Sequence, residues 1–209
     1  MTSGQRLDEF FADRIFRPLG MTGTAFWADP AAQPRLAALY NPGPDGKATR
    51  LDALGRWALK EPRMLGGGGG LVSTAADYDR FTQMLLHRPG SPAGELDGIR
   101  LLSPRTVAYM ARNHLPGGLD LETFGRPLFA EAPFRGVGFG LGFAVLLDPV
   151  PGKVLASAGE ISWGGAASTT FWIDWETDLT VSFFTQLLPS STHPIRTQLR
   201  QLVYQALTD

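Results

Sequence analysis

Few residues in this sequence make a reaction centre by spacing alone. The three histidines, His87, His114 and His193, lie far apart and form no His-Glu-x-x-His or comparable metal pattern. His87 falls at an expected helix end, where a cation is favourable, and His193 just precedes another helix, so structural or surface roles suit all three. A Ser-His-Asp hydrolase would carry Gly-x-Ser-x-Gly at a strand-to-helix turn. The nearest candidate is Ser162, but Glu160 takes the place of the first glycine and a strand follows, so that chemistry fails. Gly66 to Gly70 could suggest a phosphate cradle, yet no Gly-Lys-Ser or Gly-Lys-Thr follows, and a flexible turn before a helix is the better reading. Trp163-Gly164-Gly165 is more specific. It follows the turn Gly159-Glu160 at the expected head of a strand. Both a close approach of backbone to a ligand beside an aromatic wall and a bulged strand start under a tryptophan fit it.

The elements that must position these residues come in two textures. From Ser3 to Phe16 the pattern predicts a helix, capped by Thr2 or Ser3, with Leu7, Phe10, Phe11 and Ile15 on one face and Pro18 and Gly20 ending it. Residues 29 to 65 are rich in Pro and Gly, with room for a short hairpin between Leu39 and Leu54. After the glycine run, Thr74 and Asp77 stand at capping-box spacing. The helix they open has Tyr78, Phe81, Met84 and Leu85 as its buried stripe and Pro89-Gly90 as its stop. Ser103-Pro104 opens a second helix reaching about Arg112. Beyond it, Gly136–Leu147, Val154–Ala158, Ala166–Ile173 and Leu179–Gln186 read as strands of one antiparallel sheet. A last helix, Pro194 to Leu207, presents Ile195, Leu199, Leu202 and Val203 to cover it. The fold class is α+β, with a helical lobe over residues 1–115 and a sheet with its terminal helix over 116–209.

With these pieces in order, the chain resembles the later part of the class C β-lactamases, together with the family VIII carboxylesterases and penicillin-binding peptidases of the same superfamily. The stretches that carry the resemblance are Ser3-Gly4-Gln5 to Phe10, Ile15 to Met21, Gly67 to Thr74 with Asp77-Tyr78 and Phe81, and Leu101 to Pro104 with Val107 and Met110. They continue with Gly138 to Phe143, Gly159-Glu160, Trp163-Gly164-Gly165, Trp172-Ile173-Asp174 and Gln186. The resemblance implies acyl transfer through a serine activated by a lysine, with a tyrosine moving protons and backbone amides holding the oxyanion. Its third motif, Lys-Thr-Gly or Trp-x-Gly, matches Trp163-Gly164-Gly165. The match implies that Gly165 lets substrate lie against the strand, that the Ala166 amide is an oxyanion donor and that Trp163 lines the acyl or alcohol pocket. Tryptophan cannot supply the charge that a lysine offers a β-lactam carboxylate, which favours esters. Gly68 and Gly69 match a loop where class C enzymes place an active-site tyrosine, and imply an open wall there.

The other two motifs are absent. Residues three before Lys47, Lys60 and Lys153 are Pro44, Trp57 and Val150, so no Ser-x-x-Lys exists. Residues two after Tyr40, Tyr78, Tyr109 and Tyr204 are Pro42, Arg80, Ala111 and Ala206, so no Tyr-x-Asn or Tyr-x-Ser exists either. The expectation is the C-terminal part of a serine hydrolase of small esters or amides, inactive alone. A non-catalytic binding or assembly module, an inert remnant and one half of a split enzyme stand as alternatives. A bare sheet edge implies a homo-oligomer or a complementing chain.

Bulk composition agrees with a folded chain: 44% apolar and 19% charged residues over 209. The net charge of −1 and the lack of like-charge runs point to no nucleic-acid or membrane partner. No cysteine is present, which removes disulfides and thiolate metal sites, and no cofactor or metal is implied. The start shows no signal-peptide pattern, so the expectation for the chain as it stands is cytoplasmic.

Overall fold

The structure is a computed structural model, describing residues 3–86, 90, 92–125 and 134–208. Its chain begins with α1 (Leu7–Phe11), which widens into a π-helical turn at Ala12–Phe16. The extra residue in that turn rotates the apolar face, so Phe16 is buried and Phe11, Ala12 and Ile15 pack beside it. The expected Ser3 cap is not used. Arg6 stands at the N-cap with no side-chain bond, and Thr2 lies outside the described residues.

The Pro- and Gly-rich stretch holds a hairpin, β1 (Tyr40–Pro42) with β2 (Ala48–Arg50), followed by the short α2 (Asp52–Gly55). Next comes α3 (Ala75–Leu85), capped by Thr74 Oγ1, which accepts from Asp77 N at 3.1 Å. Asp77 does not return the capping-box bond. Its Oδ2 instead accepts from Gly23 N and from Thr24 Oγ1, both at 2.7 Å, tying a distant loop to the helix start. The helix ends at Leu85, before the expected stop at Pro89; Pro89 and His87 lie outside the described residues. A two-residue hairpin, β3 (Glu95–Leu96) with β4 (Ile99–Arg100), leads to α4 (Pro104–Met110), where Ser103 Oγ accepts from Thr106 N at 3.0 Å. His114 borders it, its Nε2 2.8 Å from Tyr109 O.

After α5 (Leu121–Phe124) the sheet begins. It comprises β5 (Val137–Phe139), β6 (Ala144–Leu146), β7 (Ile161–Gly164), β8 (Thr170–Asp174) and β9 (Leu179–Phe183), all antiparallel and in chain order. Gly136–Leu147 is therefore a hairpin rather than one strand. Val154–Ala158 is not a strand: α6 (Pro149–Gly152) and Lys153 in the left-handed region (φ 52°) turn the backbone away before it can pair. The strand that takes its place, β7, runs through the residues expected to form a turn and the head of the next strand.

Cross-strand register sorts the sheet into two faces. Val145, Ile161 and Ile173 stand in one row, with Phe171 on the same side, and they pack against Met84, Leu85, Val107, Phe16 and Leu19. Residues from both ends of the chain thus share one core. Tyr78 joins the layers through edge contacts to Phe171 and Phe184, 5.5 and 5.6 Å between ring centroids. The opposite face carries Trp172 and meets α7 (Ile195–Gln205). Of the expected apolar stripe, Ile195, Leu199 and Val203 are half-buried while Leu202 is 65% exposed. Arg196, Arg200 and Tyr204, one helical turn apart, also reach the sheet. No described helix is long and apolar enough to cross a membrane.

Candidate active site

Trp163 and Gly164 end β7, and residues 165–169 turn the chain into β8. Trp163 pairs with Phe171 and shares the face of Ile161. Its ring meets Phe139 edge-on at 5.1 Å and is still 43% exposed, so an aromatic surface remains open beside the turn.

The turn is tightly held. Gly165 N donates to Thr169 O at 3.0 Å and to Thr169 Oγ1 at 3.2 Å, while Gly165 O accepts from Ser168 N at 3.1 Å. Ser168 is buried with φ 67°; its Oγ donates to Leu187 O at 2.7 Å, and Leu187 N donates back to Ala167 O at 3.1 Å. From below, Arg196 Nη2 donates to Gly165 O at 2.6 Å and to Thr169 O at 3.0 Å. Two glycines follow from this geometry. A Cβ at Gly165 would stand 2.5 Å from Thr169 Oγ1, and one at Gly164 would collide with the Arg196 guanidinium. Gly165 is therefore needed first by its own turn. Ala166 is exposed, and its N–H has no partner among the described residues.

Gly68 and Gly69 are exposed, and a Cβ on either would meet nothing within 4 Å. Among the described residues no hydrogen bond or ring contact joins this run to the Trp163 turn. The four residues Trp163–Ala166 are together at the end of β7.

Sequence reasoning missed the groups that brace the turn. Glu160, immediately before β7, is buried, and its Oε2 lies 2.8 Å from Tyr204 Oη. The same hydroxyl is 2.8 Å from Asp174 Oδ2. A tyrosine has one proton, so it can donate to only one of them, and a proton on Glu160 completes the other contact. Burial pushes the Glu160 carboxyl up to about 7; Arg200 and the Tyr204 bond oppose that shift, and Asp174 adds to it. Arg200 Nη2 is 2.8 Å from Glu160 Oε1 but outside hydrogen-bonding geometry, while its guanidinium lies over Trp172 at 5.2 Å from the ring centroid. The available signal was the spacing of Arg196, Arg200 and Tyr204, four residues apart, which an apolar-face reading of the helix passes over. Between this helix and the sheet lies a cavity of ≈ 400 Å³ lined by Val137, Ala144, Val154, Trp172 and Arg200, among others.

Comparison with known proteins places this geometry. Protein Rv1367c of Mycobacterium tuberculosis is 35% identical over 187 residues, covering 88% of this chain and 44% of its own length. A lovastatin esterase of Penicillium rubens is 30% identical over 200 residues, covering 85% of this chain and 44% of its own length. The solved simvastatin synthase LovD of Aspergillus terreus superposes with a TM-score of 0.79 at 25% identity, covering 99% of this chain and 52% of that one. The chain thus spans about half the length of these relatives. The family model described as Beta-lactamase matches residues 1–205. With the mixed helix and antiparallel-sheet architecture, that match establishes that the chain belongs to the beta-lactamase family.

Proposed function

We propose that this chain is the sheet-bearing part of a serine acyl hydrolase that acts on small carboxylic esters, with the nucleophile supplied by polypeptide outside it. The observation that carries this reading is the unpartnered Ala166 N–H on a braced turn beside the open face of Trp163. An ester carbonyl seated there would place its oxygen on the Ala166 N–H. When a serine oxygen attacks, negative charge builds on that oxygen, and the donor stabilises it more than it stabilises the neutral carbonyl. Trp163 would lie against the acyl or alcohol group. Its lack of charge favours neutral esters over the carboxylate of a β-lactam. The name of one relative, a lovastatin esterase, agrees with ester hydrolysis.

One feature supports the need for a further segment: among the described residues no strand pairs with the outer edge of β9. The reading is tested by assaying purified chain with p-nitrophenyl esters and nitrocefin, alone and with the N-terminal half of a relative such as the lovastatin esterase. Turnover is expected only in the mixture or a fusion, and only with the ester. A stoichiometric product burst, or labelling of the isolated chain by a serine-directed phosphonate, would overturn it. The free β9 edge also favours a second reading, a non-catalytic assembly module, which predicts association without turnover in any mixture.

A further inference from the structure

The Gly165 carbonyl and the Ala166 N–H belong to one peptide unit. Such a unit is planar and trans, so the two groups point in opposite directions. Arg196 grips this unit by its carbonyl, at 2.6 Å, and reaches Thr169 O across the turn at 3.0 Å. It comes from α7, whose face of the sheet carries Trp172, and it passes so close under β7 that a Cβ at position 164 would push the guanidinium aside. With the carbonyl drawn to the Arg196 guanidinium, the Ala166 N–H is directed away from it, beside the Trp163 ring on the same turn.

A cation on the carbonyl does more than fix a direction. It draws electron density from the amide nitrogen and makes the N–H a stronger donor. Attachment of α7 to the sheet has other means: Arg200 stacks over Trp172 and faces Glu160, and Tyr204 bonds with Glu160 and Asp174. We infer that Arg196 is a positioning residue for acyl transfer, holding the Gly165–Ala166 peptide in plane and strengthening the Ala166 N–H without touching substrate. This rests on the reading of Ala166 as an oxyanion donor.

The test has one arm on the chain itself. In ¹⁵N-labelled chain, Arg196→Met should move the Ala166 amide proton upfield and slow its base-catalysed exchange on the order of threefold or more, because a polarising cation is gone. The Gly165 N–H, bonded to Thr169, should keep its protection, and Arg196→Lys should fall between the two. Arg196→Gln, which keeps donors but no charge, gives the same comparison if the methionine variant does not fold. An unchanged Ala166 amide in any folded, uncharged variant overturns the proposal, as does loss of Gly165 protection in step with Ala166. The second arm uses the chain completed by a relative's N-terminal half. There, Arg196→Gln should lower kcat about tenfold with KM little changed, and lysine should restore part of it. If the completed wild type shows no esterase activity, the hydrolase reading fails, while the amide measurements still decide whether Arg196 polarises the peptide.

Discussion

Tyr204 and Glu160 meet through one hydrogen bond, Oη to Oε2 at 2.8 Å, although 44 residues separate them in the chain. Glu160 titrates at about 7 in the fold against an ordinary 4.5, chiefly because it is buried. Between those values the folded chain holds a proton that the unfolded chain releases. This group's contribution to stability should therefore be full below pH 4.5 and be lost as pH rises to about 7, on the order of 3 kcal/mol in all. Urea unfolding across that range should show the slope, and Glu160→Gln should flatten it. An equally steep slope in the glutamine variant would assign it elsewhere.

Asp77 replaces local capping with a long-range tie. Asp77→Ala removes the acceptor of Gly23 N and one of two for Thr24 Oγ1, which also lies 2.7 Å from Ser73 Oγ, and should cost about 2 kcal/mol in unfolding free energy. Thr74→Ala, which removes only the cap, should cost about 1 kcal/mol. Denaturant midpoints of the two variants give the comparison, and equal losses would mean that the tie contributes nothing beyond the cap.

In the chain completed by a relative's N-terminal half, Gly165→Val and Trp163→Ala should part company. The valine Cβ begins 2.5 Å from Thr169 Oγ1, so the Gly165–Thr169 contacts must shift, and the Ala166 amide is expected to move with them. Loss of an oxyanion donor is typically worth ~10²–10³ in kcat. Trp163→Ala should mainly change which acyl or alcohol groups are accepted. Turnover measured per folded molecule separates these effects from stability, and full activity in folded Gly165→Val would remove the turn from the mechanism.

The outer edge of β9 presents unpaired backbone over Leu179–Phe183. Concentration-dependent association is expected in light scattering, diminishing when a relative's N-terminal half is added. A monodisperse monomer that is indifferent to that addition would show the edge to be innocuous.

Local signals carried well where the physics is local. Ser103-Pro104 and Thr74 cap their helices as their side chains imply, and the hairpin around Asn41–Lys47 follows its turn residues. Legibility failed where a distant partner decides. Val154–Ala158 has β-forming residues, but Lys153 at φ 52° and the preceding helical turn steer it off the sheet. The terminal helix has an apolar stripe, but its polar contacts to Trp172, Glu160 and Asp174 come from Arg200 and Tyr204, which an apolar reading passes over. The Trp163–Ala166 run stands out in the sequence as a candidate, but its anchoring depends on Arg196, 31 residues from Gly165.

The five sheet strands lie side by side in the order in which they leave the ribosome. Each pairing closes a loop of modest length, so the meander can zip up sequentially at little entropic cost. Only its docking onto the helical layer brings together residues as remote as Leu19 and Ile173. A polypeptide so arranged needs no earlier strand as a template for its own sheet.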